Sequence, residues 1–333
     1  MARLAVVIGD PTGIGPEVLA KALREPPEDD LLLVGDAQVW EQAQRVARVA
    51  FPARTASAPG RVTPDGAPFL DVLADDRTWK IGEMSPAAGR AVGRWMETAV
   101  RLALDGAVDG VVFAPLNKQA LIRAGHAVRD EYEFVARLAG VEDYDEMNVI
   151  PHPAAADSGR LLWVARASSH IPLREVAAKV TRGQVLRAIR LAHRTASRAG
   201  GSELRVGVAA LNPHAGEGGL IGDEEERVIT PAVVAAITEG INAMGPIPAD
   251  HIFRLARAGR FDIVVSMYHD QAQIATKLLG FEMGTSVGVG LPFVLATPSH
   301  GTAFDIAGQG AADPRPMARA LRIASLLARG AIR

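Results

Sequence analysis

Three histidines, His170, His214 and His269, each close an apolar run of strand-like composition: LLWVARASSH, LRVGVAALNPH and FDIVVSMYHD. In a parallel α/β sheet the strand ends share one edge, where ligands bind, so residues distant in sequence can meet there on a single metal ion. One such histidine is weak grounds for a site, because imidazole is also an ordinary hydrogen-bonding side chain. Three in the same context point to a catalytic metal. Their neighbours are polar and turn-forming: Asn212 and Pro213 before His214, Gly216 after it, and Asp270 and Gln271 after His269. A carboxylate or amide so placed can orient a ligating ring. Three neutral nitrogen donors leave positions open for substrate and suit zinc, with nickel, cobalt and manganese as the other candidates.

The remaining histidines lack that context. His193 lies inside the helical stretch TRGQVLRAIRLAHRTASRAGG, and His126, His152 and His251 follow no apolar run, so these read as structural side chains. Presenting the three candidates requires a sheet. Short β-rich runs alternate with helical stretches: LAVVIGD, PEVLAKAL, LLLVGD, then VWEQAQRVARVA. That alternation predicts an α/β fold with a doubly wound parallel sheet. Residues 52–85, rich in Pro, Gly and Asp, read as loops and short strands before the helix AGRAVGRWMETAVRLALDG. GVVFAPLNKQALIRAG reads as strand, loop and helix, with Asn117 and Lys118 at the strand end, where they can reach a ligand.

At 333 residues the chain exceeds the usual size of one hydrophobic core. Hydrophobic residues make up 48%, enough for a core without cross-links, and the absence of cysteine excludes disulfides, thiolate zinc sites and cysteine nucleophiles. The apolar start breaks at Asp10 and Pro11, too early for a signal peptide or membrane span, so a cytoplasmic location is expected. A net charge of −2 with acids and bases interspersed gives no footprint for nucleic acid or an anionic membrane. The expected partner is a small-molecule substrate.

Two glycine-rich segments differ in what they promise. VVIGDPTGIGPE has Gly13 and Gly15, but Pro16, Glu17 and Val18 follow where a dinucleotide fingerprint needs a third glycine. It reads as a tight turn entering a helix at Pro16, with Glu17 well placed against the helix dipole, and it can hold Asp10 and backbone N–H groups beside a substrate. HGTAFDIAGQG, from His300 to Gly310, follows the apolar LPFVLATPS. Its small residues permit close backbone approach to a ligand, and His300 and Asp305 can hydrogen-bond ribose or adenine. Composition alone makes it a polar loop.

In order and along nearly the whole chain, GDPTGIGPE, LNPHAGEGG, GPIPAD, MYHDQ followed by Lys277, LPF and HGTAFDIAG resemble the 4-hydroxythreonine-4-phosphate dehydrogenase family of pyridoxal phosphate biosynthesis. The resemblance implies two α/β/α domains of the isocitrate and isopropylmalate dehydrogenase type with a cleft between them. Residues 1–125 plus 285–333 would carry the nucleotide loop, and 126–284 the metal ligands and dimer interface. It also implies a homodimer whose metal site draws histidines from both subunits, and NAD or NADP bound without a Rossmann fingerprint. The family's metal ligands fall on His170, His214 and His269, its substrate-contacting lysine on Lys277, and the acid of its GPxPAD segment on Asp250. Its nucleotide loop falls on His300, Gly301, Thr302, Ala303, Asp305, Ala307 and Gly308. The implied chemistry is oxidative decarboxylation of a 3-hydroxy carboxylic acid, in which hydride passes to NAD(P)⁺ and the β-keto acid loses CO₂ as the metal stabilises the enolate. Lys277, Asp250 and Asp270 are the candidates for the proton transfers, Asp270 equally a group that orients His269.

The match departs at one end of the implied pocket. Where the family carries Gly-His-Thr-Glu, this chain has Asp130, Glu131, Tyr132 and Glu133; a family asparagine is Ser286 and a family arginine is Leu295. An arginine–phosphate contact is worth roughly 1.5–3 kcal/mol. These changes therefore predict weak binding of a phosphorylated amino acid and a flatter, more apolar pocket lined by Tyr132 and Leu295. The expected substrate class is a cis-dihydrodiol carboxylate of the terephthalate type, which relatives within the family resemble enzymes for and which belongs to aromatic catabolism. The family's own phosphate ester is the alternative. In the altered pocket Arg123 or Arg129 is the candidate for a new anion anchor, each equally readable as a solvated surface charge. A metal-dependent hydrolase or acyltransferase could use the same histidines to activate water, though the nucleotide loop argues against it. A non-catalytic binding protein is opposed by the three histidines and Lys277 together.

Overall fold

The apolar run that opens the chain is strand β1 (Arg3–Val7) in the computed structural model, which describes residues 1–155, 160–280 and 284–331. Leu4, Ala5, Val6 and Val7 are wholly buried, and each larger side chain so placed contributes roughly 1.5–3 kcal/mol. The chain divides into two units, Met1–Asp145 with Thr285–Arg333, and Glu146–Gly284. The first boundary therefore falls at 145, not at the 125 expected from the resemblance. The reason is local packing: residues 131–138 form a helix against the long helix of the first unit, and the His126 ring stands edge-on to Phe134 with centroids 4.8 Å apart.

In the first unit β1 is followed by α1 (Gly15–Ala22), β2 (Asp30–Gly35), α2 (Ala37–Ala47), β3 (Ala53–Thr55), β4 (Ala67–Asp71), α3 (Pro86–Leu104), β5 (Gly110–Phe113), α4 (Lys118–Arg123) and α5 (Glu131–Leu138). Short polar side chains start α2, α3, α4 and α5: Asp36, Ser85, Asn117 and Asp130 each accept a backbone N–H of the first turn. At α5 the cap is reinforced, because Glu133 reaches back to accept the Arg129 amide at 2.7 Å.

The second unit contains β6 (Asp145–Pro151), β7 (Leu161–Arg166), α6 (Val176–Lys179), α7 (Arg182–Arg198), β8 (Val206–Ala209), α8 (Thr230–Thr238), β9 (Ala243–Ile247), α9 (Ala249–Arg257), β10 (Ile263–Ser266) and α10 (His269–Gly280). Its strand order is β6-β7-β10-β8-β9. The β7, β10, β8 and β9 ladders are parallel and β6 is antiparallel to β7. Arg166 pairs with Ser266, and Val265 with Val208, so β7, β10 and β8 end level at one edge. Asp262 fastens the opposite end, accepting from Arg160 and Arg205, which holds its carboxyl below the usual range against the cost of burial.

The chain returns to the first unit as β11 (Thr285–Val289), β12 (Val294–Pro298) and α11 (Arg315–Ala331). That unit's order is β3-β4-β2-β1-β5-β12-β11, parallel throughout except for the β11–β12 hairpin. Among the described residues no helix is long and apolar enough to cross a membrane.

Candidate functional site

The three level strands of the second unit deliver the three histidines to one edge, but their side chains do not all converge. His170 and His269 face each other, with ring centroids 5.3 Å apart and planes inclined at 45°. Two imidazoles bound to one tetrahedral ion, with metal–nitrogen bonds of about 2.0–2.1 Å, bring their centroids to about 5.2 Å, so the spacing fits a shared metal. The pair lines an open concavity of about 480 Å³ together with Ser168, Ser169, Tyr268 and Asp270. Asp270 Oδ1 lies 2.7 Å from His269 Nδ1. Of the two roles weighed for Asp270, this geometry serves the orienting one: the carboxylate accepts from Nδ1–H and leaves the Nε2 lone pair for a ligand.

His214 stands apart. Residues His214, Ala215, Gly216, Glu217 and Gly218 all have positive φ, a left-handed turn in which His214 itself sits at φ 52° and ψ 29°. The non-glycine members cost roughly 1–2 kcal/mol each, and such strain persists only where surrounding structure over-determines it. Buried Glu225 is that structure: its Oε1 accepts the Leu211 and Asn212 amides at 2.8 and 2.7 Å, and its Oε2 accepts from the Asn212 side chain. The turn leaves the His214 side chain 71% exposed, with Nδ1 3.0 Å from Glu217. Among the described residues no three His, Cys, Asp or Glu side chains cluster as a metal-binding group. One chain thus brings together two of the three predicted ligands.

The other residues proposed for chemistry in this unit are dispersed. Lys277 is exposed on α10, about 12 Å along the helix axis from His269 at 1.5 Å per residue. Asp250 is exposed in the first turn of α9, where a carboxylate is favoured by the helix dipole in any case. The strand pattern did not single out Arg166, the charge that ends LLWVAR; its side chain is fully buried and forks to Ser169, Asn148 and Glu146.

In the first unit the two glycine-rich segments lie against each other. The Ile14 amide donates to the Thr302 carbonyl at 3.0 Å, and Gly82 donates to the Thr12 carbonyl at 2.8 Å. A Cβ on Gly13 would stand 2.7 Å from Thr302 Cβ, so glycine is required there by proximity and not by a dinucleotide fingerprint. The His300–Gly308 loop is therefore backed by the turn that opens the chain. His300 Nδ1 lies 3.1 Å from the Gly301 carbonyl, Nε2 is buried without a partner, and burial pushes the ring's pKa down. Asp10 is 1% exposed; its Oδ1 accepts both the amide and hydroxyl of Thr12, Oδ2 has no partner, and burial pushes the carboxyl's pKa up.

Lys118 at the start of α4 pairs with Glu131 at 3.2 Å. Glu131 and Tyr132 are both buried, at 8% and 4% exposure, and Arg129 is held by Asp130. Ser286 Oγ lies 3.1 Å from Ser299 Oγ. Leu295 has no exposed surface: it is a β12 core residue lying over Gly288 of β11.

The family described as pyridoxal phosphate biosynthetic protein PdxA matches residues 28–324. The chain is 42% identical to a 4-hydroxythreonine-4-phosphate dehydrogenase of Beijerinckia indica, over 97% of this chain and 94% of that one. It is 39% identical to a D-threonate 4-phosphate dehydrogenase of Cupriavidus necator, over 98% and 97%. Among solved structures, a 4-hydroxythreonine-4-phosphate dehydrogenase from Klebsiella pneumoniae superposes with a TM-score of 0.86 at 36% identity, covering 98% of this chain and 100% of that chain. A terephthalate 1,2-cis-dihydrodiol dehydrogenase from Burkholderia xenovorans gives 0.68 at 29% identity, covering 98% of each. A β-decarboxylating dehydrogenase from Thermococcus kodakarensis shares the fold, with a TM-score of 0.52 at 17% identity, over 98% and 82%.

Proposed function

The chain belongs to the PdxA family, and from that premise we propose that it is a metal-dependent, NAD(P)-linked dehydrogenase of a small 3-hydroxy acid carrying a terminal phosphate. 4-Hydroxythreonine 4-phosphate and D-threonate 4-phosphate, the substrates in its relatives' names, both fit that class and differ in constitution only at C2, amine against hydroxyl. The observation that carries the reading is the His170–His269 pair at 5.3 Å with Asp270 on the far nitrogen of His269.

The dihydrodiol expectation loses its support. The dihydrodiol dehydrogenase is the more distant likeness, at 29% identity against 42% and 39% for two phosphate-ester enzymes. Leu295, which was to flatten the pocket, is a fully buried strand residue.

Oxidation at C3 gives a β-keto acid, which is activated to lose CO₂, and NAD(P)⁺ supplies the hydride acceptor. A divalent ion on the imidazoles, zinc being the natural choice for nitrogen donors, would supply Lewis acidity toward the hydroxyl and the enolate. The chain's own contribution is orientation. Asp270 fixes the tautomer of His269, the loop from His300 to Gly308 is backed by the Gly13 turn, and Lys277 offers positive charge to an anionic group of the substrate. Lys277 is the proposed proton acceptor.

His214 supports a homodimer with shared sites. It is exposed, and its Nδ1 lies beside Glu217 as that of His269 lies beside Asp270, which would leave its Nε2 for a ligand shared with a second copy. Chelation should abolish NAD(P)⁺ reduction and a divalent ion should restore it, with CO₂ released mole for mole with NAD(P)H. Full activity in chelator contradicts the metal, and reduction without CO₂ removes the decarboxylation. Mixing inactive His214→Ala and His269→Ala proteins should regain activity if the sites are shared.

A further inference from the structure

Arg166 is an expensive residue to keep where it is. Its side chain has no exposed surface, and a buried guanidinium persists only when its donors are met. The way they are met connects the carriers of the two facing histidines. Nε donates to Ser169 Oγ at 2.9 Å, one residue before His170. Nη1 donates to Asn148 Oδ1 on β6 at 2.6 Å, and Nη2 lies 3.1 Å from Glu146 Oε2. The same Asn148 oxygen accepts from Gln273 Nε2 at 2.7 Å. Gln273 is one turn along α10 from His269, on the same face of that helix. One buried node therefore grips the turn that carries His170 and the helix that carries His269.

That turn needs gripping. His170 has φ 53°, in the left-handed region, although it is not glycine. Such a conformation relaxes unless neighbours hold it. On the strand side, Ala167 and Ser168 donate to the carbonyls of Ser266 and Met267, so β7 stays registered on β10 as far as Ser168. Beyond Ser168, the Arg166–Ser169 bond ties down the chain at the entry to His170.

We infer that Arg166 is a positioning residue which, through Ser169 on one side and Asn148–Gln273 on the other, sets the spacing of His170 and His269. The inference rests on the proposed metal role of that pair only for its functional consequence. The spacing itself is independent of it. Residues behind metal-binding imidazoles typically account for about 10–100-fold in metal affinity.

Two measurements on the full-length, metal-free protein test this. The first is titration with Co²⁺ alone, followed by its visible absorption. The second is the nuclear Overhauser contact between the His170 and His269 rings in histidine-labelled protein. Ser169→Ala and Arg166→Met should each lose the ring-to-ring contact and bind Co²⁺ about 10–100-fold more weakly, while Ser169→Thr, which keeps the hydroxyl, should restore both. If Arg166→Met does not fold, Ser169→Ala, which leaves the bonds to Asn148 and Glu146 in place, carries the test. A Ser169→Ala protein with the wild-type ring contact overturns the inference. Wild-type protein that shows the Arg166-dependent contact but binds no Co²⁺ upholds the positioning and removes the metal reading instead.

Discussion

Asp270 Oδ1 lies 2.7 Å from Nδ1 of its neighbour His269. An ionised carboxylate can only accept, so the shared proton belongs to Nδ1 and the Nε2 lone pair is free to bind a cation. His214 and Glu217 repeat the arrangement at 3.0 Å on a turn of opposite hand. The chain thus prepares imidazoles for ligation by the company each one keeps.

Asp270→Ala removes that preparation without disturbing the core, because the carboxylate side chain is 74% exposed. Exposed pairs of this kind contribute about 0–1 kcal/mol to stability, so the melting temperature should hardly move. Divalent-metal affinity, measured by chelator competition, should fall about 10–100-fold. Unchanged affinity would return Asp270 to the role of an acid or base.

Gly13→Ala addresses the nucleotide loop. The added Cβ would stand 2.7 Å from Thr302 Cβ and 2.8 Å from its carbonyl oxygen. Relieving such overpacking costs about 1–3 kcal/mol and must push the loop. The KM for NAD(P)⁺ should rise while Co²⁺ affinity stays at the wild-type value. A nucleotide KM that does not change would separate this loop from cofactor binding.

Asp10 makes stability depend on pH in a specified direction. Burial raises its carboxyl pKa, with the Thr12 hydroxyl and amide acting partly against that. The folded chain therefore binds the proton more tightly than the unfolded chain. Asp10 lowers stability at pH values where the unfolded carboxyl is ionised, and the penalty fades as pH falls from the raised folded pKa toward the ordinary 3.8. Asp10→Asn keeps an acceptor for Thr12 and removes the charge. Its melting temperature should exceed wild type at pH 7, and the gap should close below about pH 4. A variant less stable by the same amount at both pH values would contradict a buried ionisable group.

What the sequence made legible was the backbone path and not the side-chain direction. Apolar runs ending in His170, His214 and His269 do end level on adjacent parallel strands. His214 nonetheless points away, because its direction depends on a left-handed turn held by Glu225, a contact that no periodicity announces. Alignment made Leu295 a pocket residue, whereas its burial comes from hairpin pairing with Gly288. The boundary set at 125 missed α5, whose apolar face is satisfied by α3. Arg166 carried a readable signal, a lone charge closing an apolar strand, but its meaning lay in partners on β6 and in the turn before His170.

The most direct test is NAD⁺ and NADP⁺ reduction, with and without chelator, on 4-hydroxythreonine 4-phosphate, D-threonate 4-phosphate and a terephthalate-type cis-dihydrodiol. Chelator-sensitive turnover of at least one phosphate ester, and none of the dihydrodiol, is the predicted result. Turnover of the dihydrodiol alone, or of a phosphate ester undiminished by chelator, would contradict it.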